Sequence, residues 1–117
     1  MAQRIFSGVP SEAIAGYAKA VIDGSTIYVS GTTGRDKTTG IFPTDAAQQA
    51  RNALAEIDDV LKKAGASLAH AVASRVYVTD LEAADAVTPV LGEVFKDIRP
   101  TSTFLICQIP ARGAKVE

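Results

Sequence analysis

Apolar positions along this chain change their period several times, and each change marks an element. Ala18 to Ile22 and Thr26 to Ser30 are two apolar, β-branched runs separated by Asp23-Gly24-Ser25. Asp-Gly between such runs predicts a hairpin, because glycine supplies the positive φ that a tight turn needs. Arg4-Ile5-Phe6 reads as a short edge strand before it, and Asp36-Lys37-Thr38-Thr39-Gly40 as a turn after it. The period then becomes helical. Ala47, Ala50, Leu54, Ile57, Leu61 and Ala64 make one apolar stripe. Thr44 is placed to cap this helix. Asp45 in its first turn and Lys62 and Lys63 in its last match the helix dipole. Asp58–Lys62 and Asp59–Lys63 have i,i+4 spacing, each pair worth about 0.3 kcal/mol. Gly65 supplies the stop.

Val72 to Val78 alternates and predicts a strand. Leu81 to Phe95 is helical again, but Pro89 interrupts it. Proline breaks a helix interior and suits a first turn, so the pattern predicts a short turn and then a helix from Pro89 to Lys96, capped by Thr88. Thr101 to Ile109 reads as a strand, Pro110 to Gly113 as a turn, and Ala114 to Glu117 as the start of a last strand. The order β-β-β-α-β-α-β-β implies an α+β domain, with two helices packed on one face of a mixed sheet. Val21, Ile27, Val29 and Leu105 leave few polar positions for the other face, which predicts association between copies. No repeat, linker or low-complexity segment divides the chain, so residues 1–117 read as one domain.

Composition narrows the functional classes. Apolar residues make up 47% and charged residues 21%, an ordinary globular balance. The net charge of -1 argues against a nucleic-acid partner, which calls for a phosphate-neutralising surface. Cys107 is the only cysteine, so no intrachain disulfide or cysteine metal cluster can form. A lone cysteine in an apolar run reads as packing and fits a reducing cytoplasm. His70, also alone, reads as a surface or polar-contact residue and cannot build a zinc site. No basic leader and no apolar run near 20 residues is visible, so no membrane role is expected. Gly31-Thr32-Thr33-Gly34 lacks the lysine and helix context of a phosphate loop. Nothing in the sequence calls for a cofactor or a metal.

Short motifs, in order, carry a resemblance over nearly the whole chain. They are Gly16-Tyr17 with the Ala20-Val21 step after it, Val29-Ser30-Gly31, Gln49-Ala50-Arg51-Asn52-Ala53-Leu54, Ala64-Gly65-Ala66 and Val76-Tyr77-Val78-Thr79-Asp80-Leu81. The segment Arg99-Pro100-Thr101-Ser102 through Pro110, closing on Lys115-Val116-Glu117, completes the set. Together they resemble the RidA/YjgF family of reactive-intermediate deaminases. The resemblance implies the chorismate-mutase-like fold, a homotrimer, and pockets between subunits that bind a small-molecule metabolite. It also implies a hydrolytic, deaminase-type reaction on an imine.

The resemblance places the family's pocket tyrosine on Tyr17, its serine and glycine on Ser30 and Gly31, and its glutamate on Glu117. The glutamine after Ser-Gly becomes Thr32, the helix asparagine Thr88, and a cysteine near the end Phe104. The family's catalytic arginine falls on Ser102. An arginine fork holds a carboxylate by two charge-assisted bonds. A serine offers one neutral hydroxyl, so the resemblance implies tens- to thousands-fold weaker handling of imino acids, on the order set by losing such bonds. Alternation puts Pro100, Ser102, Phe104 and Ile106 on one face of the strand and Arg99, Thr101, Thr103, Leu105 and Cys107 on the other. Arg99 therefore cannot simply stand in for the missing arginine unless the strand begins after it, whereas Arg35 or Arg112 from another subunit remains open. Two functional readings stand beside each other: an altered deaminase-type enzyme, and a non-catalytic trimer that senses a ligand or binds a protein. A ribonuclease activity, also attributed to parts of the family, fits least with the acidic balance and the lack of a basic–aromatic stripe.

Overall fold

Gly24, at φ +60°, turns the chain between β2 (Ala20–Asp23) and β3 (Thr26–Val29), so the Asp-Gly hairpin forms as expected. The computed structural model describes residues Met1–Glu117. β1 (Gln3–Ile5) pairs antiparallel with β2, Ile5 opposite Ala20. Between them lies a helix that the apolar pattern does not predict, α1 (Pro10–Ala15). Its six residues are too few to show a period. Pro10 opens it, and Gly16 at φ +75° closes it. The buried Glu12 carboxylate accepts from the Ser7 hydroxyl at 2.6 Å and from the Ser7 and Gly8 amides at 3.0 Å each. The Ser7 hydroxyl, opposed by burial and reinforced by the two amides, holds this carboxyl below the usual range.

α2 (Ala46–Lys63) is capped by Asp45, whose carboxylate accepts from the Ala47 amide at 3.0 Å, and not by Thr44. The cap lies one residue later than expected. Of the expected stripe Ala50 and Leu61 are buried, with Ala47 and Leu54 at the margin of the core, and Ala46, Gln49, Ala53 and Val60 complete the buried face. Asp58 and Lys62 pair at 2.9 Å as their spacing suggests. Asp59 pairs instead with Lys37 at 2.6 Å, because the Asp36–Gly40 turn folds back over α2.

α3 runs unbroken from Leu81 to Phe95, which corrects the expected turn and Thr88 cap. Asp80 is the cap, accepting from the Ala83 amide at 2.7 Å. Pro89 sits inside this helix on its exposed side. The carbonyl it leaves without an amide partner belongs to Asp85, also exposed, where water can serve it. Val87 and Val90, on either side of Pro89, are 0% and 1% exposed. Their burial against the sheet offsets the proline's cost of about 3 kcal/mol.

β4 (Ala73–Val78) pairs in parallel with β5 (Thr101–Ile106), with Val76 beside Phe104 and Val78 beside Ile106. β5 ends three residues earlier than the apolar run suggested. The C-terminal segment pairs antiparallel on the other edge of β4: Val78 faces Val116, and Tyr77 and Glu117 exchange two backbone bonds of 2.8 Å. Val76, Val78 and Val116 meet Ala46 and Ala50 of α2 and Ala83, Val87 and Val90 of α3 in one core, with Phe104 packed on it. The expected α+β class therefore stands with a third short helix added, but the strands form two sheets, β1-β2-β3 and β4-β5, where one mixed sheet was expected.

Gln49 ties three segments together from a fully buried position. Its amide nitrogen donates to the carbonyls of Pro43 at 2.7 Å and Gly113 at 2.9 Å, and its oxygen accepts from the Lys115 amide at 2.8 Å. Gln49→Leu keeps the bulk and leaves these backbone groups without partners. It is expected to lower stability by about 2 kcal/mol or more, read as a shift in the urea midpoint. An unchanged midpoint would mean that water takes over the amide's bonds.

Candidate functional site

The chain leaves β3 at Val29 and passes through Ser30, Gly31 and Thr32, a loop held from several sides. The Ser30 amide donates to the Lys19 carbonyl at 2.9 Å, and its hydroxyl donates to the Ala18 carbonyl. The buried Thr32 hydroxyl donates to the Ser30 carbonyl at 2.9 Å and accepts from the Lys19 ammonium at 2.7 Å. Lys19 is only 7% exposed and has the Glu56 carboxylate 3.7 Å away as its counter-charge. Hydrogen-bonding and pairing that ammonium meets the condition for keeping a lysine out of water.

This loop meets the C-terminal segment at one point. A Cβ placed on Gly31 would lie 3.1 Å from the Glu117 Cδ and 3.2 and 3.4 Å from its two carboxylate oxygens. Glycine therefore lets the carboxylate lie against the loop backbone. Glu117 is half-buried and stands directly opposite Tyr77 on β4. Ser30, Gly31, Thr32 and Glu117, expected as site residues, are brought to one place. Lys19 and Tyr77 join them, and sequence reasoning passed over both. A lysine inside the apolar run Ala18–Val21 was a usable signal for Lys19. Tyr77 had none, since its pairing with a segment 40 residues away is not written in local spacing.

Ser102 and Phe104 lie elsewhere. Register partners share a sheet face, and side chains alternate along each strand. Ser102 pairs with Ser74 and Phe104 with Val76, which puts both on the helix-covered face. Glu117 shares the opposite face with Tyr77 and Leu105. Ser102 and Glu117 therefore do not meet within one chain. Ser102 is exposed and Phe104 packs against the core. Thr88 is exposed on α3, its hydroxyl donating to the Ala84 carbonyl at 2.8 Å. Tyr17 is 39% exposed, its hydroxyl 2.6 Å from that of Ser11. No hydrogen bond joins Tyr17 or Thr88 to the Gly31–Glu117 group.

Cys107, expected to be packed, is exposed, because it follows β5 at a sheet edge that nothing covers. His70 is exposed, and its Nδ1 accepts from the Ser67 amide at 3.1 Å in a short 3-10 turn. One cleft of the single chain holds about 280 Å³ beside α1, and another about 200 Å³ between the starts of α2 and α3. Neither is lined by Ser30, Gly31, Ser102 or Glu117. No three His, Cys, Asp or Glu side chains are grouped as metal ligands would be. No helix is long and apolar enough to cross a membrane.

A family model described as endoribonuclease L-PSP matches residues 9–117. The 2-iminobutanoate/2-iminopropanoate deaminase of Capra hircus is 31% identical over 120 residues, spanning 100% of this chain and 87% of its own length. The protein of the same name from Bos taurus is 32% identical over 107 residues, 90% of this chain and 77% of its own. A crystal structure of a YjgF family member from Mycobacterium tuberculosis superposes with a TM-score of 0.88 at 35% identity, covering 99% of this chain and 93% of that one.

Proposed function

This chain belongs to the RidA/YjgF family, and from that premise we propose that it hydrolyses a small imine in a pocket completed by a second copy of itself, as a homotrimer in a reducing cytoplasm. The observation that carries the reading is the Glu117 carboxylate lying against Gly31, beside a loop tied down by Ser30, Thr32 and Lys19. A carboxylate held beside a small, rigid backbone segment can fix a water and accept its proton. In the proposed reaction the water oxygen bonds to the imine carbon, and Glu117 takes one proton. The C=N electron pair moves to nitrogen, to which Glu117 returns that proton, giving a carbinolamine. Glu117 then carries the carbinolamine's hydroxyl proton to the nitrogen, the C–N bond breaks, the oxygen lone pair forms the carbonyl, ammonia leaves and the carboxylate is regenerated. The names of the goat and cattle relatives point to 2-imino acids as the substrate class.

The sheet faces supply the argument for a second copy. Ser102 and Glu117 sit on opposite faces of one chain, so a site using both must draw them from different subunits. Leu105 at 51% and Tyr28 at 60% exposure supply apolar surface for that contact. The test pairs light scattering with ammonia release from imines generated by an amino-acid oxidase. A mass of three chains with accelerated ammonia release is expected. A monomer at micromolar concentration overturns the shared pocket, and tight binding of a metabolite without turnover favours the ligand-sensing reading.

Ser102→Arg restores a carboxylate fork at the position where the family carries one, and is expected to raise imino-acid turnover about tenfold or more. The gain should vanish when Glu117→Ala is added, because holding a carboxylate does not by itself activate water. Co-refolding the double variant with the wild-type chain should recover part of the gain, since the introduced guanidinium of one subunit would then meet Glu117 of another. Full turnover by the double variant alone would show that Glu117 is not the base.

A further inference from the structure

On the reading above, the one cation at the site, Lys19, is buried and committed to Thr32 and Glu56, and the sheet register supplies a free one for the substrate's carboxylate. Glu117 stands opposite Tyr77. Arg75 lies two residues before Tyr77 on the same strand, so its side chain leaves the same face, about 7 Å along the strand. Its partner in β5 is Thr103, and Leu105 is the partner of Tyr77. The β5 neighbours on this face are thus neutral, and Lys115, two residues before Glu117, is engaged with the Thr44 carbonyl. Arg75 is exposed and makes no ion pair or side-chain hydrogen bond.

The other arginines are less available. Arg35 lies over the Phe42 ring and donates to the Gly40 carbonyl at 3.1 Å. Arg51 pairs with Glu93 at 3.0 Å, and Arg99 donates to the Lys96 carbonyl at 2.6 Å. Arg4 sits on β1, in the other sheet. Arg112 is exposed in the turn before the last segment, on no strand that would aim it at Glu117.

We propose that Arg75 is the anion anchor of this site, binding the carboxylate of a small 2-imino or 2-oxo acid from the Glu117 face, in place of the fork that Ser102 cannot form. In a 2-imino acid the carboxylate is bonded directly to the imine carbon. One molecule then spans the gap, its carboxylate on the Arg75 fork and its reacting carbon beside the water held by Glu117. A guanidinium meets a carboxylate with two parallel bonds, which fixes orientation as well as affinity. The missing charge is thereby supplied from β4 of the chain that carries Glu117, rather than from β5 of a second subunit.

The test is an equilibrium one, independent of turnover. The full chain is titrated by calorimetry with 2-oxobutanoate, which carries oxygen in place of the imine nitrogen, and with 2-butanone, which lacks the carboxylate. The wild-type chain is expected to prefer the acid about tenfold or more, with the preference shrinking as salt rises. Arg75→Ala should abolish the preference, Arg75→Lys should keep part of it, and Arg112→Ala should keep it whole. An acid preference retained in Arg75→Ala, or lost in Arg112→Ala alone, overturns the assignment to Arg75 and leaves imine hydrolysis standing. A wild-type chain with no acid preference also overturns it, whereas hydrolysis of imines is judged separately by ammonia release.

Discussion

Replacing Glu117 with glutamine is expected to lower imine turnover by about two to four orders of magnitude, the usual range for removing a positioned general base. Glutamine keeps the length of the side chain and the backbone exchange with Tyr77, so the sheet edge should remain paired. It also keeps an oxygen near Gly31 that can hold a water, but its amide cannot take the water's proton. The loss should therefore fall on kcat, with binding of 2-oxobutanoate changed by only a few-fold on the same physical grounds. Circular dichroism and light scattering would show whether the fold and the assembly survive. The measurement that counts is ammonia release in both the wild-type and the Ser102→Arg backgrounds. Activity within about tenfold of the parent in both would remove Glu117 from the mechanism and leave its contact with Gly31 as packing alone.

The second large effect is on folding. Gly34→Ala is expected to destabilise the chain by about 4 kcal/mol or more, at the far end of what a single methyl group does. Gly34 is buried against α2. A Cβ there would lie 2.0 Å from the Gln49 carbonyl oxygen and 2.5 Å from the Gln49 Cα and carbonyl carbon. All three are main-chain atoms of a helix, so no rotamer change relieves the clash, and the loop must move away. That movement would also disturb the 3.2 Å bond from the Asn52 amide to the Gly34 carbonyl and the seating of Gln49. Because the loop at Gly34 continues from Ser30, Gly31 and Thr32, catalysis should fall with stability. Gly92 in α3 is the control: nothing lies within 4 Å of a Cβ placed there. Gly92→Ala should raise stability by about 0.4–1 kcal/mol through helix propensity and the unfolded chain. The two alanines, compared by thermal unfolding, should therefore shift the midpoint in opposite directions.

Much of the frame was legible in the residues. The Asp-Gly hairpin, the long α2 helix and the β4 strand announce themselves by turn chemistry and period, which act over a few residues. The errors follow the same logic. Thr44 and Asp45 are both good caps, and the packing of Ala46 and Gln49 selects the second. Pro89 is a helix breaker in isolation, yet burial of Val87 and Val90 beside it carries α3 straight through. Cys107 ends an apolar run and so reads as core, but β5 lies at an edge that one chain leaves uncovered.

The α+β class, the Asp-Gly hairpin, the long α2 helix and the serine at position 102 are properties of the residues themselves, because they depend on local period and on residue identity, whereas the short α1 has no legible period. Which side chains meet is settled only when the chain closes on itself. Antiparallel pairing across 40 residues sets Glu117 opposite Tyr77, and the absence of a Cβ on Gly31 lets the carboxylate lie on the loop. The same register puts Ser102 on the far face and Arg75 on the near one. In a pleated sheet a shift of one residue exchanges the faces, and no local feature of the chain records which register the long-range pairing adopts.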